Sequence, residues 1–193
     1  MHKGRLEAFS DGVIAIIITI MVLEFKVPES GELTALAAML PTFLSYVLSF
    51  VFVGIYWNNH HHLLQTAQHV NGRILWANLH LLFWLSLIPF ATAWMGHNGR
   101  SPWPVAIYGI DLLLSGVAYY VLSQSLLRHH GQQSILAKAI GSDVKGKISL
   151  VLYLCAIPLA FVNSYLSFAI YISVALTWLI PDRRLEQAVR KEH

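Results

Sequence analysis

Long apolar segments alternate with short polar ones along the chain. A helix that crosses a lipid bilayer needs about 20 mostly apolar residues. The segments that approach this requirement are residues 6–26, 34–57, 74–95, 103–127, 147–163 and 165–181. Asn163 and Ser164 divide the last apolar stretch, which is too long for one span, into two short ones. The pattern predicts an all-α membrane protein with six transmembrane helices, folded as one domain over residues 1–193.

Prolines and polar runs set the expected ends of these helices. Pro41, Pro89 and Pro158 lie inside candidate spans. Because proline lacks a backbone N–H and clashes with the preceding turn, each is expected to kink or end a helix locally. The polar run over residues 128–147 is the longest predicted loop.

Basic residues are distributed unevenly between the two sides that six spans create. The side that holds both termini carries Lys3, Arg5, Arg73, Arg128, Lys138, Lys145, Lys147, Arg183, Arg184, Arg190 and Lys191, whereas the other side carries only Lys26 and Arg100. Because cytoplasmic loops of membrane proteins are enriched in Lys and Arg, both termini are expected to be cytoplasmic. On the outer side, the first loop carries an acidic collar that can concentrate cations: Glu24, Glu29 and Glu32.

The composition agrees with a membrane protein. Hydrophobic residues make up 56% of the chain and charged residues 12%, against about 25% charged in soluble domains. The net charge of +3 comes from residues near helix ends and does not imply nucleic-acid binding. Cys155 is the single cysteine, so an intramolecular disulfide is excluded. The sequence contains neither a glycine-rich phosphate loop nor the TVGYG filter of common potassium channels.

The first apolar segment places a continuous stripe on one face of a helix. At about 100° per residue, the stripe contains Arg5, Phe9, Gly12, Ile16, Thr19 and Leu23, with Ile20 beside it. Its heptad spacing suits a left-handed bundle, formed either with a partner helix or around a symmetry axis. Since residues 13–23 are almost all apolar, periodicity alone favours ordinary core packing over a pore.

Asp11 is the residue of this helix that ordinary packing does not explain. A carboxylate at membrane depth costs roughly 2.5–3.5 kcal/mol on insertion scales and is usually paired or functional. Arg5 can reach the interface with its long side chain, but Asp11 lies about 9 Å deeper along the helix. Asp11 and Ser10 point away from the stripe, so a partner on another helix is expected.

The segment RLEAFSDGVIAIIITIMVLEFKVP resembles the Arg-x-x-x-Phe-Ser-Asp signature of the lysosomal potassium channel family (transmembrane protein 175 family), in particular its single-repeat bacterial members. Arg5, Phe9, Ser10 and Asp11 supply the signature as they stand. The segments YWNNHHHLL and NLHLLFWLSLIPFATAW are similar to the second and third spans of that family. The last three spans match in hydrophobicity and length only.

This resemblance implies a homotetrameric, potassium-selective channel in a bacterial plasma membrane, with residues 1–193 forming one six-span transmembrane channel domain. The first helix of each subunit would line a central pore. In the family, apolar side chains of that helix form the constriction beside a hydroxyl-bearing position. The corresponding positions here are Ile16, Ile20 and Leu23, with Thr19 as the hydroxyl. Potassium would be the permeant ion, the lipid bilayer and the other subunits the partners, and neither a cofactor nor an enzymatic step is expected.

Ten histidines in the chain raise the question of a metal or haem site. His60, His61 and His62 are consecutive, so on a helix they point in three directions and do not share one metal. Histidines inside membranes more often hydrogen-bond across helices, and we therefore expect no metal. His60 or His61 is the predicted partner of Asp11 or Ser10, and Asn78 is a further predicted partner of Asp11. The full predicted network consists of Arg5, Phe9, Ser10, Asp11, Trp57, His60, His61 and Asn78.

Two other classes of function are compatible with parts of this pattern. A proton-coupled transporter could use Asp11 and the intramembrane histidines as a relay, and it predicts inverted repeats with broken helices. A small membrane enzyme or haem protein would require a coloured cofactor, which an absorbance spectrum would detect. Ion flux into liposomes under K⁺ or Na⁺ gradients distinguishes both alternatives from a channel.

Overall fold

The fold is a bundle of α-helices. The computed structural model describes residues 3–67, 69–131, 134, 137 and 143–179, and no β-strand occurs among them. The helices are α1 (Lys3–Leu23), α2 (Leu33–Ala38), α3 (Leu40–Gln65), α4 (Gly72–Leu85), α5 (Ile88–Asn98), α6 (Pro102–His130), α7 (Val144–Leu159) and α8 (Ser164–Leu179).

Six traverses of the bundle follow from these helices. Four stretches are long and apolar enough to cross a membrane, namely α1, α3, the continuous pair α4–α5 and α6. Helices α7 and α8 have 16 residues each, or about 24 Å at 1.5 Å per residue, and they are separated by residues 160–163. The prediction of an all-α membrane protein with six spans is confirmed.

The predicted position of the second span is wrong at both ends. Residues 34–57 were expected, but α3 occupies Leu40–Gln65 and residues 33–38 form the separate helix α2. The polar residues after position 57 remain helical because their side chains find partners within the protein. Asn59 Nδ2 donates to the Ile55 carbonyl at 2.8 Å, and His60 Nε2 lies 2.7 Å from Asn78 Oδ1. Hydropathy counts these side chains as polar and therefore misplaces the helix end.

The three intramembrane prolines act as expected. Pro41 and Pro89 lie in the first turns of α3 and α5, where a missing N–H disrupts nothing. Pro158 lies in the last turn of α7, just before that helix ends. In the third span, Ser86 and Leu87 separate α4 from α5 just before Pro89, so the helix is interrupted there as the proline predicts.

Side-chain contacts bring several helix ends together at one end of the bundle. Lys3 Nζ donates to the carbonyls of Leu64 and Gln65 at 3.2 and 2.8 Å, which joins the start of α1 to the end of α3. Asn71 Nδ2 lies 3.1 Å from His129 Nδ1, which joins the start of α4 to the end of α6. Alternating helix directions, as the distribution of basic residues predicts, explain these contacts.

Part of that basic distribution falls on residues that the structure does not describe. These residues are Lys138, Arg183, Arg184, Arg190 and Lys191.

The interior consists of two apolar clusters. The first cluster is formed mainly by α1, α3, α4 and the second half of α6, and the second cluster by α3, α5, the first half of α6, α7 and α8. Helix α6 contributes to both clusters and packs against α4, α5, α7 and α8. It is therefore the central helix of the bundle, whereas α1 lies at the periphery.

One glycine allows α6 and α8 to approach closely. A Cβ added at Gly109 would lie 3.0 Å from Tyr171 Cζ and 3.3 Å from Ile157 Cγ1. The Tyr171 hydroxyl uses this space to donate to the Val105 carbonyl of α6 at 3.0 Å. The contact satisfies a buried hydroxyl that would otherwise be costly inside a membrane.

Replacing this glycine should loosen the second cluster. Gly109→Ala is expected to displace the Tyr171 ring and to lower the free energy of unfolding by about 1–3 kcal/mol, as overpacking of a core typically does. Thermal unfolding of the purified protein in detergent measures the effect. Gly54→Ala is the matched control, because an added Cβ there meets nothing within 4 Å. Equal melting temperatures for the two variants would contradict this account of the α6–α8 contact.

Candidate functional site: the exposed face of α1 and the polar network behind it

The predicted stripe of α1 lies on the exposed face of that helix. Its apolar side chains are only partly covered by the rest of the bundle, with exposed fractions of 54% for Phe9, 58% for Ile16, 42% for Ile20 and 78% for Leu23. The remaining stripe positions, Arg5, Gly12 and Thr19, are exposed as well. The stripe therefore does not pack against another helix of the chain, which is the packing that periodicity alone favoured.

The opposite face of α1 holds the helix against the bundle. Its buried positions are Leu6, Ser10, Ile14, Ile17 and Met21. Ile17 is 4% exposed, although it directly follows the exposed Ile16. Two neighbouring isoleucines thus have opposite environments, and this difference shows how α1 is rotated about its axis.

A chain of hydrogen bonds connects α1 to α3 and α4 through buried side chains. Asn78 Nδ2 of α4 donates to Ser10 Oγ at 2.9 Å, and Ser10 Oγ donates to the Leu6 carbonyl at 2.8 Å. On its other side, Asn78 Oδ1 lies 2.7 Å from His60 Nε2. Because an amide oxygen only accepts, this contact requires that His60 carries its proton on Nε2. Ser10, His60 and Asn78 are each fully buried.

Asp11 has a different partner from the expected ones. The prediction named His60, His61 or Asn78, but Trp57 Nε1 of α3 donates to Asp11 Oδ1 at 3.0 Å. Asp11 is one residue, or about 100°, further round α1 than Ser10, so it faces the outer side of α3 rather than the buried Asn78. Sequence analysis placed Trp57 in the network but did not assign it as the partner.

A second carboxylate joins this network. Glu7 Oε1 lies 3.2 Å from His61 Nδ1, and the His61 ring stacks on Trp57 with ring centroids 5.9 Å apart. Sequence analysis did not single out Glu7. The available signal was its spacing, because Glu7 and Asp11 are four residues apart and therefore lie on one face of α1.

The hydroxyl of Thr19 is oriented by its own helix. Thr19 Oγ1 donates toward the carbonyls of Ala15 and Ile16, at 3.1 and 2.9 Å. Since the proton is used in this way, the lone pairs of the oxygen remain for a group outside the helix. The exposed stripe therefore offers an acceptor between Ile16 and Ile20.

A groove of about 730 Å³ lies beside the stripe, between α1 and α5. From α1 it is lined by Val13, Ile16, Ile17, Ile20 and Glu24, and from the third span by Ser86, Pro89, Phe90, Ala93, Trp94, His97 and Asn98. Sequence analysis did not predict this groove, because it depends on how the broken third span packs beside α1.

The histidines of the described residues do not form a metal site. Within that part of the chain, no group of three or more His, Cys, Asp or Glu side chains could hold a metal ion. His60 contacts Asn78, and His61 contacts Glu7. The consecutive histidines thus diverge to separate partners.

Comparisons with known proteins identify relatives of this chain. The family described as "Endosomal/lysosomal potassium channel TMEM175" matches residues 5–89. A potassium channel of Chryseobacterium sp. (strain P1-3) is 55% identical over 191 residues, which are 99% of this chain and 100% of the relative. The endosomal/lysosomal proton channel TMEM175 of Mus musculus is 29% identical over 179 residues, which are 83% of this chain but 36% of the mouse protein.

A solved structure extends the likeness to the fold. The crystal structure of a lysosomal potassium-selective channel TMEM175 homolog from Chamaesiphon minutus matches with a TM-score of 0.80 and 28% identity, covering 92% of this chain and 96% of that one. The likeness thus includes the last three spans, for which the sequence resemblance rested on hydrophobicity and length alone. The chain belongs to the TMEM175 family of membrane ion channels and is not an enzyme.

Proposed function

We propose that the protein is a potassium-selective channel of the bacterial plasma membrane, assembled as a homotetramer with the stripe of α1 around the central axis. The observation that carries this proposal is the exposed stripe itself. It has one residue type that a purely lipid-facing surface does not need, the hydroxyl-bearing Thr19, and it ends near charged residues, Arg5 at one end and Glu24 at the other. The Chryseobacterium relative is named a potassium channel, which supports K⁺ as the permeant ion.

In a tetramer, each stripe position becomes a ring of four side chains. Ile16, Ile20 and Leu23 would form apolar rings, and narrow apolar rings gate ion flow by excluding water. Isoleucine is branched at Cβ and has few rotamers in a helix, so a ring of four isoleucine side chains is stiff. An ion that passes such a ring must shed part of its hydration shell. The barrier then depends on the hydration energy of the ion, which is larger for Na⁺ than for K⁺.

The Thr19 ring would partly replace the lost water. Its oxygens are directed by the hydrogen bonds to Ala15 and Ile16, so four acceptors at the axis require no reorganisation when an ion arrives. We infer that Thr19 contributes to discrimination and the apolar rings to gating. Permeant K⁺ is the only ion that this mechanism needs, and no cofactor takes part.

The surroundings of the pore fit cation transport. Glu24, Glu29 and Glu32 are all exposed at or after the end of α1, where their charge raises the local concentration of cations. With both termini cytoplasmic, as the distribution of basic residues predicts, this collar faces the outside of the cell.

Proton transport is the second candidate function. It is favoured by the name of the mouse relative, a proton channel, and by the carboxylates Glu7 and Asp11 close to His61 and Trp57. Liposomes that contain a pH dye distinguish the two functions. A potassium channel dissipates a K⁺ gradient even when no proton gradient is imposed. Proton transport changes the pH of the liposome lumen even when K⁺ is absent.

Shrinking the Ile16 ring should widen and hydrate the constriction. Ile16→Ala is expected to raise conductance and to lower discrimination between K⁺ and Na⁺, because ions keep more of their water. Ile16→Asn should act in the same direction at nearly constant size.

Thr19→Val keeps the shape but removes the acceptor, so it should lower discrimination without a matching gain in conductance. Liposome flux and single-channel currents with both ions measure these changes.

Ile17→Ala is the matched control for these variants. The side chain is identical and adjacent, but it is buried against the bundle, so its loss should reduce stability and leave ion selectivity unchanged. The pore face is misassigned if Ile17→Ala alters selectivity as strongly as Ile16→Ala. If no stripe variant alters flux, α1 does not line the ion path.

The arrangement of subunits can be tested by cross-linking. Cys155 is exposed on α7, so Cys155→Ser provides a cysteine-free background. In this background, Ile16→Cys or Leu23→Cys is expected to form disulfide-linked dimers within the tetramer under mild oxidation. Met21→Cys, on the buried face of α1, should not. Dimers formed only by Met21→Cys would place the opposite face of α1 at the axis.

The contact between Asp11 and Trp57 should support assembly or gating rather than permeation. Trp57→Phe removes the donor, and hydrogen bonds to charged groups are worth about 1.5–3 kcal/mol. Asp11→Asn keeps an acceptor but removes the charge. Both variants are expected to weaken the tetramer or shift its open probability while keeping its ion selectivity. Trp76→Phe, whose ring is 75% exposed on α4, is the control. Unchanged tetramer stability and open probability in both variants would contradict this role.

A further inference from the structure

We propose that Asp111, in the middle of α6, is a proton-binding site within each subunit, separate from the stripe of α1. The site would hold one proton on its carboxyl group in the packed bundle. This inference concerns the interior of the subunit and does not depend on which ion the channel conducts.

The first observation is the combination of burial and missing partners. Asp111 is 5% exposed, and both of its carboxylate oxygens are buried without a hydrogen-bond partner in the described residues. Ser115 Oγ, four residues further along the same face of α6, is also buried without a partner. Most buried polar atoms in proteins are hydrogen-bonded. Three orphaned oxygens on one helix face therefore require an explanation.

The second observation is the position of these residues on α6. Ala118 and Leu122 belong to the first apolar cluster, and Tyr108 and Leu112 to the second. Asp111 and Ser115 thus occupy the boundary between the clusters. A buried chain of hydroxyl groups starts one turn away, since Tyr108 and Ser49 lie within 2.9 Å and Thr92 Oγ1 lies 2.6 Å from Ser49 Oγ. Tyr108, one turn before Asp111 on α6, is thereby connected to α3 and α5.

The groups around Asp111 offer no positive charge. Tyr56 of α3 donates to the carbonyl of Leu112, the residue after Asp111, at 3.5 Å, and Tyr108 lies one turn before Asp111 on α6. The other helices that pack on α6 present tyrosines to this core or carry their cations outside it. Helices α7 and α8 contribute the buried Tyr153 and Tyr171. The described cationic and histidine side chains of α4 and α5, Arg73, His80 and His97, are exposed. The lysines of α7, Lys145 and Lys147, lie in its first turn, where Lys145 is over the Trp178 ring.

A proton fits these surroundings better than a metal cation. An ionised carboxylate without a partner is unfavourable in a dry interior, so such a group neutralises. A sodium ion would need about five or six oxygen ligands and room for its own volume, whereas the orphaned oxygens number three. Protonation needs no extra space. It also converts Asp111 into a donor, and Ser115 Oγ, one turn along, is an unpaired acceptor on the same face.

The site links the packing of the subunit to pH. If the packed bundle holds a proton on Asp111 at a pH where the carboxyl of the unfolded chain is ionised, the folded state binds more protons than the unfolded state. The stability of a protein falls with rising pH wherever the folded state binds more protons. Release of the proton would leave a buried charge on α6, which packs against α5, and α5 also packs against α1.

Infrared spectroscopy shows directly whether the carboxyl group of Asp111 is protonated. Folded wild-type protein at neutral pH is expected to show the carbonyl stretch of a protonated carboxylic acid, and this band should shift on exchange into heavy water. Asp111→Asn should abolish the band. Glu24→Gln, which removes an exposed carboxylate, should leave it unchanged. If Asp111→Asn does not fold, Asp111→Glu should shift the frequency of the band. The proposal is wrong if the wild-type spectrum contains no such band.

Thermal unfolding gives an independent readout. The melting temperature of the wild type should fall from acidic to alkaline buffer more steeply than that of Asp111→Asn, and the two should converge at acidic pH. Titration with Na⁺ at constant ionic strength tests the alternative that the carboxylate binds a metal cation. If Na⁺ raises the melting temperature of the wild type but not of Asp111→Asn, the carboxylate holds a metal cation and the proton assignment is overturned. Parallel pH profiles of the two proteins would overturn it as well.

Discussion

Polar side chains inside a membrane must find their hydrogen-bond partners within the protein, and Asn78 meets this requirement for two other helices at once. Its amide group donates to Ser10 of α1 and accepts from His60 of α3. Because an unpaired amide or hydroxyl in an apolar interior costs several kcal/mol, α1 has one favourable rotation about its axis. That rotation buries Ile17 and exposes Ile16. The exposed stripe is thus a consequence of a buried amide on a different helix.

The polar contacts of α1 are concentrated in its first half. Lys3, Glu7, Ser10 and Asp11 each contact another helix there. In the second half, the buried positions are apolar, and Ile17 lines the groove beside α5. Apolar contacts lack the directional geometry of hydrogen bonds. The helix is therefore anchored at one end, while the proposed constriction lies on the end that apolar packing alone holds.

The sequence predicted the stripe and the network residues, but only some of their contacts. The spacing of four and three residues on α1 follows from helix geometry and needs no tertiary information. The partner of Asp11 was misassigned because the choice between His60 and Trp57 depends on how α3 is rotated relative to α1. The end of α3 was misplaced for a related reason. Hydropathy treats Asn59 and His60 as solvent-seeking, although the fold satisfies both.

By itself, the sequence determined the fold class, the number of traverses and the family. These properties depend on apolar length, on the distribution of basic residues and on a short linear signature, all of which are local. Only the tertiary structure decided which face of α1 is free, that Glu7 pairs with His61, and that Asp111 is buried without a partner. The long helices that the structure describes are apolar around most of their circumference, so periodicity does not distinguish a buried face from an exposed one. The contacts between helices make that distinction.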